Sequence, residues 1–211
     1  MRKTTKDYHH GNLRNALLGA AISHIEEAGE VSFTLRDLAK KLGVSSAAPF
    51  RHFPSKRALL AAIAESGYEQ LGDVYAELDS SFPNDPGECF KRKGVAYVQF
   101  AITHKAYYLA MYHPELNDKS EFPALKAAGA RVFVSMLATV EACREKNLLS
   151  NFSAEQITLT IWSVTHGLAD LLINGQLAEL GIASTEQAAI QAMEAVSMVV
   201  GAGLQKNPKQ P

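Results

Sequence analysis

Cysteine is nearly absent from this chain: Cys89 and Cys143 are the only two, far apart and without Cys-x-x-Cys spacing. Neither a disulfide framework nor a zinc site is indicated, and two buried thiols are expected. Only Cys143, beside Arg144, has the adjacent cation that a redox-sensing thiol uses. Long apolar runs are missing too. The most apolar stretch, Trp162 to Leu180, is interrupted by His166, Asp170, Asn174 and Glu179, so no membrane span is expected. The basic opening Met1-Arg2-Lys3-Thr4-Thr5-Lys6-Asp7 has no apolar segment behind it, as a secretory leader would, and a cytoplasmic location is expected. No segment shows the sustained period-2 alternation of a strand. Nor is there a Gly-rich phosphate loop, a metal-ligand spacing, or a nucleophile, base and orienter in one set, so no cofactor, metal or catalytic residue is expected.

What is present is helix. With 211 residues, 47% hydrophobic and 20% charged, the chain can bury a real core in one or two domains. The net charge of −1 hides an asymmetry: residues 1–60 hold ten Lys/Arg against five Asp/Glu, which is +5, and leave −6 for the rest. A basic first quarter on an acidic body suits a protein with one end that meets phosphate.

Apolar positions recur at helical spacing from end to end, which predicts an all-α fold. A first helix is expected from about Leu13 to Ala28, stopped by Gly29. Thr34 reads as the cap of a short second helix, with Asp37 in capping-box position and Phe33 able to staple onto Leu38. Gly43 then ends it, and a third helix is expected over about Ser46 to His52. A fourth begins at Ser55-Lys56 and runs towards Leu78, before the break Ser81-Phe82-Pro83-Asn84-Asp85-Pro86-Gly87. Further helices are expected to end near His104, to cover Tyr107 to Tyr112 and Leu125 to Asn147, to run from Ser153 to about Leu180, and to open at Ser184.

Two short helices, a Gly-containing turn and a basic start to the next helix describe a helix-turn-helix over about 34–53. Only the N-terminal end of a helix projecting into the major groove meets base edges, which points to Ser45, Ser46, Ala47 and Ala48. Arg51 and His52 are placed to reach backbone or guanine, and Lys56 to reach a phosphate. A helical hairpin in an unrelated bundle is the competing reading of the same spacing.

The segment Phe50-Arg51-His52-Phe53-Pro54-Ser55-Lys56-Arg57-Ala58-Leu59, with Thr34-Leu35-Arg36-Asp37-Leu38-Ala39 and Leu42-Gly43-Val44-Ser45, resembles the DNA-binding domain of the tetracycline-repressor (TetR) family. The resemblance covers about Tyr8 to Leu71. Two departures stand out: Phe50 occupies a usual Tyr position, removing one hydroxyl from a phosphate contact, and Pro49 sits inside the short recognition helix. Tyr8-His9-His10-Gly11-Asn12-Leu13-Arg14 and Trp162-Ser163-Val164-Thr165-His166-Gly167 are similar to signatures of one branch of that family. Adjacent histidines share a metal poorly, so His9 and His10 read as packing.

The resemblance implies a DNA-binding domain over 8–71, in which Thr34 and Phe50 join the residues above, and an effector-binding and dimerisation domain over 72–205. It also implies a homodimer through the last two helices, a palindromic double-stranded DNA operator, and release by a small, largely apolar effector, as in a repressor. The helix from Ser153 is apolar nearly all round and is expected to be buried on two faces. Ala188, Ala189, Ala192, Met193, Val196, Val199 and Val200 suit close helix packing. Tyr97, Phe100, His104, Tyr107, Met111, Phe133, Met136, Trp162 and His166 form an aromatic and sulfur-bearing set on helices expected to converge. They suit a ligand cavity, and equally an ordinary core. Two other function classes stay open: an all-helical small-molecule-binding enzyme and a protein adaptor.

Overall fold

The computed structural model describes residues 13–149, 152–179, 190, 191, 194 and 195. Among these the chain is all-helical, with eight α-helices and no strand. They are α1 (Leu13–Ala28), α2 (Leu35–Lys41), α3 (Lys56–Ser81), α4 (Pro86–Thr103), α5 (Lys105–Met111), α6 (Pro123–Glu145), α7 (Ala154–Ile173) and α8 (Gln176–Glu179). His9, His10 and most of the expected last helix lie outside the described residues.

Local chemistry sets most boundaries. The Thr34 hydroxyl accepts from the Asp37 N–H at 3.2 Å while the Asp37 carboxylate accepts from the Thr34 N–H at 3.0 Å, so two orphan donors of α2 are satisfied reciprocally. Both members of the expected staple, Phe33 and Leu38, are buried. At its other end, Gly43 takes φ +67°, and the Val44 and Gly43 N–H groups return to the Ala39 and Lys40 carbonyls at 3.0 and 3.2 Å. That is a Schellman cap, and a side chain at Gly43 would be strained by the positive φ alone, since open space surrounds it. Ser153 and Gln156 form a second capping box at the start of α7.

Two helices end differently from expectation. Instead of an α-helix over Ser46 to His52 there is a turn closed by Ala48 N–H on the Ser45 carbonyl, then a 3₁₀ turn over Pro49–Arg51. Pro49 has no N–H to give the Ser45 carbonyl, so the i→i−4 ladder cannot pass through it. The helix from Ser153 stops at Ile173 rather than near Leu180, because Gly175 adopts φ +70° and breaks the run before α8. α7 also buries one face, through Ala154, Ile157, Thr158, Ile161, Thr165, Ala169 and Leu172, while Leu159, Trp162, Val164 and Leu171 are exposed.

The chain divides into two compact units. One holds residues up to Gly67 together with Lys105–Lys126; the other holds Tyr68–His104 and the residues from Ala127 onward. The first unit therefore includes a segment well beyond residue 71. α5 packs on α1, with Ala106, Tyr108, Ala110 and Met111 buried. A Cβ at Gly67 would stand 2.8 Å from the Met111 sulfur, so glycine permits the close approach of α3 and α5.

In the second unit α4 packs chiefly on α7, and α3, α4 and α6 are tied by a buried cation. Lys93, fully buried, donates to Asp79 Oδ1 at 2.7 Å, Thr139 Oγ1 at 2.7 Å, and the Ser135 hydroxyl and carbonyl at 2.8 and 3.1 Å. Burial acts to raise the Asp79 carboxyl, but the hydrogen bond and charge of Lys93, helped by Ser135 and Cys89, outweigh it and hold it below the usual range. By length and composition alone α6 is apolar enough to cross a membrane, which the sequence pattern had not led us to expect there. Its stripe Val132, Met136, Val140 and Cys143 is buried, and Arg131 pairs with Asp73 of α3 at 2.8 Å.

Candidate nucleic-acid interface

In the first unit, the segment after α2 presents one face to solvent. Pro49 and Phe53 are buried; Ser45, Ser46, Ala47, Phe50, Arg51 and His52 are exposed, and Ala48 is half-buried. The alternation follows from the tight turns: the two buried rings anchor the segment to the core, and the residues between them project outward. Arg14 of α1 lies over the Phe53 ring, 5.2 Å from its centroid. No carboxylate belongs to this exposed run, so an approaching phosphate meets hydroxyls, small apolar groups, a guanidinium and an imidazole.

Beside it is a cavity of about 340 Å³ lined by Thr34, Leu35, Arg36, Phe50 and Lys56. The structure thus brings Thr34, Phe50 and Lys56 together from three separate stretches of the sequence. Thr34 reaches the cavity as the cap of α2, where its side chain is committed to Asp37. That carboxyl is held below its ordinary value, first by the Thr34 side-chain hydrogen bond. Arg36, exposed in the first turn of α2, was missed by sequence reasoning; its only signal was its position two residues after the cap.

Lys56 is not a free surface cation. Its ammonium donates to the Val31 carbonyl at 3.2 Å, lies 5.7 Å from the Phe33 ring centroid, and stands 3.6 Å from Glu115 Oε1. The neighbouring Arg57 is held by the Glu115 and Asp118 carbonyls, at 2.9 and 2.6 Å, by the Glu121 carboxylate, and by the Phe122 ring beneath it. These partners lie some sixty positions away in the chain, and nothing in the local pattern reveals them.

The aromatic and sulfur-bearing set is divided between the units. Tyr107, half-buried, and Met111, buried, belong to α5 in the first unit and pack at Gly67. In the second unit, the Tyr97 hydroxyl of α4 and His166 Nδ1 of α7 share a 3.0 Å hydrogen bond, and His166 Nε2 is 3.9 Å from the Asp170 carboxylate. The Trp162 ring is 6.4 Å from that imidazole. Phe100 stacks on His104 with centroids 4.7 Å apart. Tyr97 and Phe100 are buried, His104 and His166 are half-buried, and Trp162 is 42% exposed. On α6, Met136 is buried and Phe133 exposed. α4 and α7 thus bring the hydrogen-bonded Tyr97–His166 pair together with Asp170 and Trp162, while Phe133 of α6 is exposed.

Residues 17–63 match the family described as bacterial regulatory proteins, tetR family, and residues 90–196 match the tetracyclin repressor-like C-terminal domain. The regulator AcrR of Shigella flexneri is 26% identical over 98 residues, 46% of this chain and 46% of that protein. The class A tetracycline repressor of transposon 1721 from Escherichia coli is 44% identical over 52 residues, 25% of this chain and 24% of that one. The chain thus matches less than half the length of these two curated relatives. Among solved structures, a protein of unknown function from Rhodococcus sp. RHA1 superposes with a TM-score of 0.77 at 29% identity, covering 96% of this chain and 100% of that one. The TetR-family regulator PfmR of Thermus thermophilus follows the same fold, with a TM-score of 0.69 at 18% identity over 90% of this chain and 99% of its own. With both halves matched, the chain belongs to the TetR family of bacterial regulatory proteins.

Proposed function

We propose that this protein is a cytoplasmic homodimeric repressor that binds a palindromic DNA operator and leaves it when a small, largely apolar effector binds. The observation that carries the reading is the carboxylate-free exposed run of Ser45, Ser46, Ala47, Phe50, Arg51 and His52, anchored by buried Pro49 and Phe53. We assign Ser45, Ser46, Ala47 and Ala48 to base edges, Arg51 and His52 to backbone or guanine, and Lys56 to a phosphate, with Thr34 and Phe50 beside them. Phe50 offers the backbone an apolar ring where a hydroxyl would otherwise bond a phosphate.

In the second unit, Tyr97, Phe100, His104, Met136, Trp162 and His166 are the proposed effector contacts, with the Tyr97–His166 pair as polar anchor. Phe133 is exposed, and Tyr107 and Met111 pack in the first unit, so these three are left out of the proposed contacts. α3 supplies Leu59, Leu60 and Ile63 to one core and Leu71 and Tyr75 to the other, so displacement of this helix by an effector is the proposed switch. A hundredfold loss of operator affinity needs only about 2.7 kcal/mol of coupling between the sites. α7 and the expected helix that opens at Ser184 supply the proposed dimer contact.

The test is selection of binding sites from random duplexes with the full chain, followed by fluorescence anisotropy on the selected sequence. Two-fold symmetric half-sites about 34–36 Å apart, or a multiple of that, are expected. An enzyme or an adaptor would return no enriched sequence.

A further inference from the structure

Lys56 is the one cation in the wall of the 340 Å³ cavity whose ammonium the structure places against a carboxylate. We infer that Glu115 is a built-in stand-in for DNA phosphate: it occupies Lys56 in the free protein and must give up that cation when DNA arrives. This rests on the DNA-binding reading above and names a regulator of the same site.

The geometry supports an exchangeable contact rather than a fixed one. Two of the features around the Lys56 ammonium are internal, the Val31 carbonyl and the Phe33 ring, and they fix where the charge sits. The ammonium also stands 3.6 Å from Glu115 Oε1, and Lys56 lines the cavity. That separation is longer than a charge-assisted hydrogen bond, and both side chains are partly solvated, 29% for Lys56 and 45% for Glu115. Pairs of this kind shift an equilibrium by up to about fivefold. The contact is strong enough to compete with a phosphate and weak enough to lose.

Glu115 is also held where it is. It lies in the 3₁₀ turn Pro114–Leu116, capped by His113, whose Nδ1 accepts the Glu115 N–H at 3.3 Å, and its carbonyl receives Arg57 at 2.9 Å. Leu116 is buried beneath the turn. The backbone is anchored by Arg57 while the carboxylate alone faces Lys56, so neutralising that carboxylate leaves the anchor intact. Any movement of this turn that brought the carboxylate closer to Lys56, or took it away, would tune DNA affinity without touching a base-reading residue.

The test is Glu115→Gln in the full chain, measured by anisotropy on both the selected duplex and a random duplex across a salt series. The expected result is roughly three- to fivefold tighter binding to both duplexes at low salt, with log K against log salt steeper by up to about one. In a Lys56→Ala background the same change should give less than about twofold, because its target is gone. Glu121→Gln removes an equal charge from the same segment but pairs with Arg57, which keeps its two carbonyl acceptors, so it should also give less than about twofold. Unchanged affinity and slope in Glu115→Gln would overturn the inference, as would an equal gain with Lys56 absent. If folded wild-type protein binds neither duplex, the DNA-binding reading falls and this inference with it, an outcome distinct from binding that Glu115→Gln fails to improve.

Discussion

Lys56 in the first unit and Lys93 in the second are both turned inward, yet the structure uses them in opposite ways. Lys56 lines an open cavity, keeps 29% of its side chain in water and has a carboxylate 3.6 Å from its ammonium. Lys93 is fully buried and meets four oxygen acceptors at 2.7 to 3.1 Å. A cation that must exchange one anion for another has to stay partly solvated and loosely paired. One that ties three helices must be saturated, because an unpaired buried charge costs more than any pair returns. The same contrast extends to the acids. Asp79 is bonded by Lys93 and Ser135, whereas Glu115 makes one long contact with Lys56.

The largest effect expected from breaking this contrast is in the second unit. Asp79→Ala leaves the buried Lys93 charge with two hydroxyls and a carbonyl; because the Asp79 side chain is itself 46% exposed, the cost in urea unfolding should be about 2–3 kcal/mol, below that of a fully buried pair. A loss under about 1 kcal/mol would mean that the ammonium finds water. Next comes Gly43→Val in the first unit, where φ +67° rather than crowding sets the penalty, about 1–2 kcal/mol. Glycine-to-alanine exchange at Gly19, which has open space and a helical backbone, should instead be neutral or stabilising.

The folded Asp79 carboxyl is depressed, so its contribution is fully present above the unfolded value near 3.9 and is lost as pH falls through the lower folded value. Unfolding midpoints between pH 5 and pH 2 should therefore fall less steeply in Asp79→Asn, already destabilised, than in wild type. Parallel curves would show that Asp79 does not carry this dependence. The smallest effect is chemical. Burial, with the nearby Cys89 and Asp85 charges, pushes the Cys143 thiol up to about 11, so a disulfide reagent should label native protein slowly and urea-unfolded protein at an ordinary rate. Rapid labelling of the native form would restore the redox-sensing alternative.

Much of this fold was legible in the sequence, and the reason is that its signals are local. Thr34 with Asp37, Ser153 with Gln156, and Gly43 each act within five residues, so their spacing is enough to place a helix end. Pro49 was visible as well, but its consequence, a 3₁₀ turn in place of an α-helix, depends on which carbonyl loses its donor. The stop at Gly175 was masked by apolar periodicity that continues past it, although the positive φ of a glycine outranks periodicity. Partners separated by long stretches of chain were not legible at all. Lys56 and Glu115, Lys93 and Thr139, and α1 and α5 meet only because the helices between them fold back. The division of the aromatic set, with Tyr107 and Met111 in one unit and Tyr97 and His166 in the other, is of the same kind.

In the proposed function the exposed run after α2 reads DNA twice, once from each protomer. The most direct measurement is anisotropy at fixed salt with the full chain on its selected duplex and on the same duplex with one half-site scrambled, each with wild type and Arg51→Ala. Scrambling one half is expected to weaken wild-type binding by on the order of a hundredfold or more, and Arg51→Ala to weaken binding to the intact duplex about tenfold or more. Equal affinity for intact and half-scrambled duplexes, together with an Arg51→Ala protein that binds as wild type does, would contradict the proposed function.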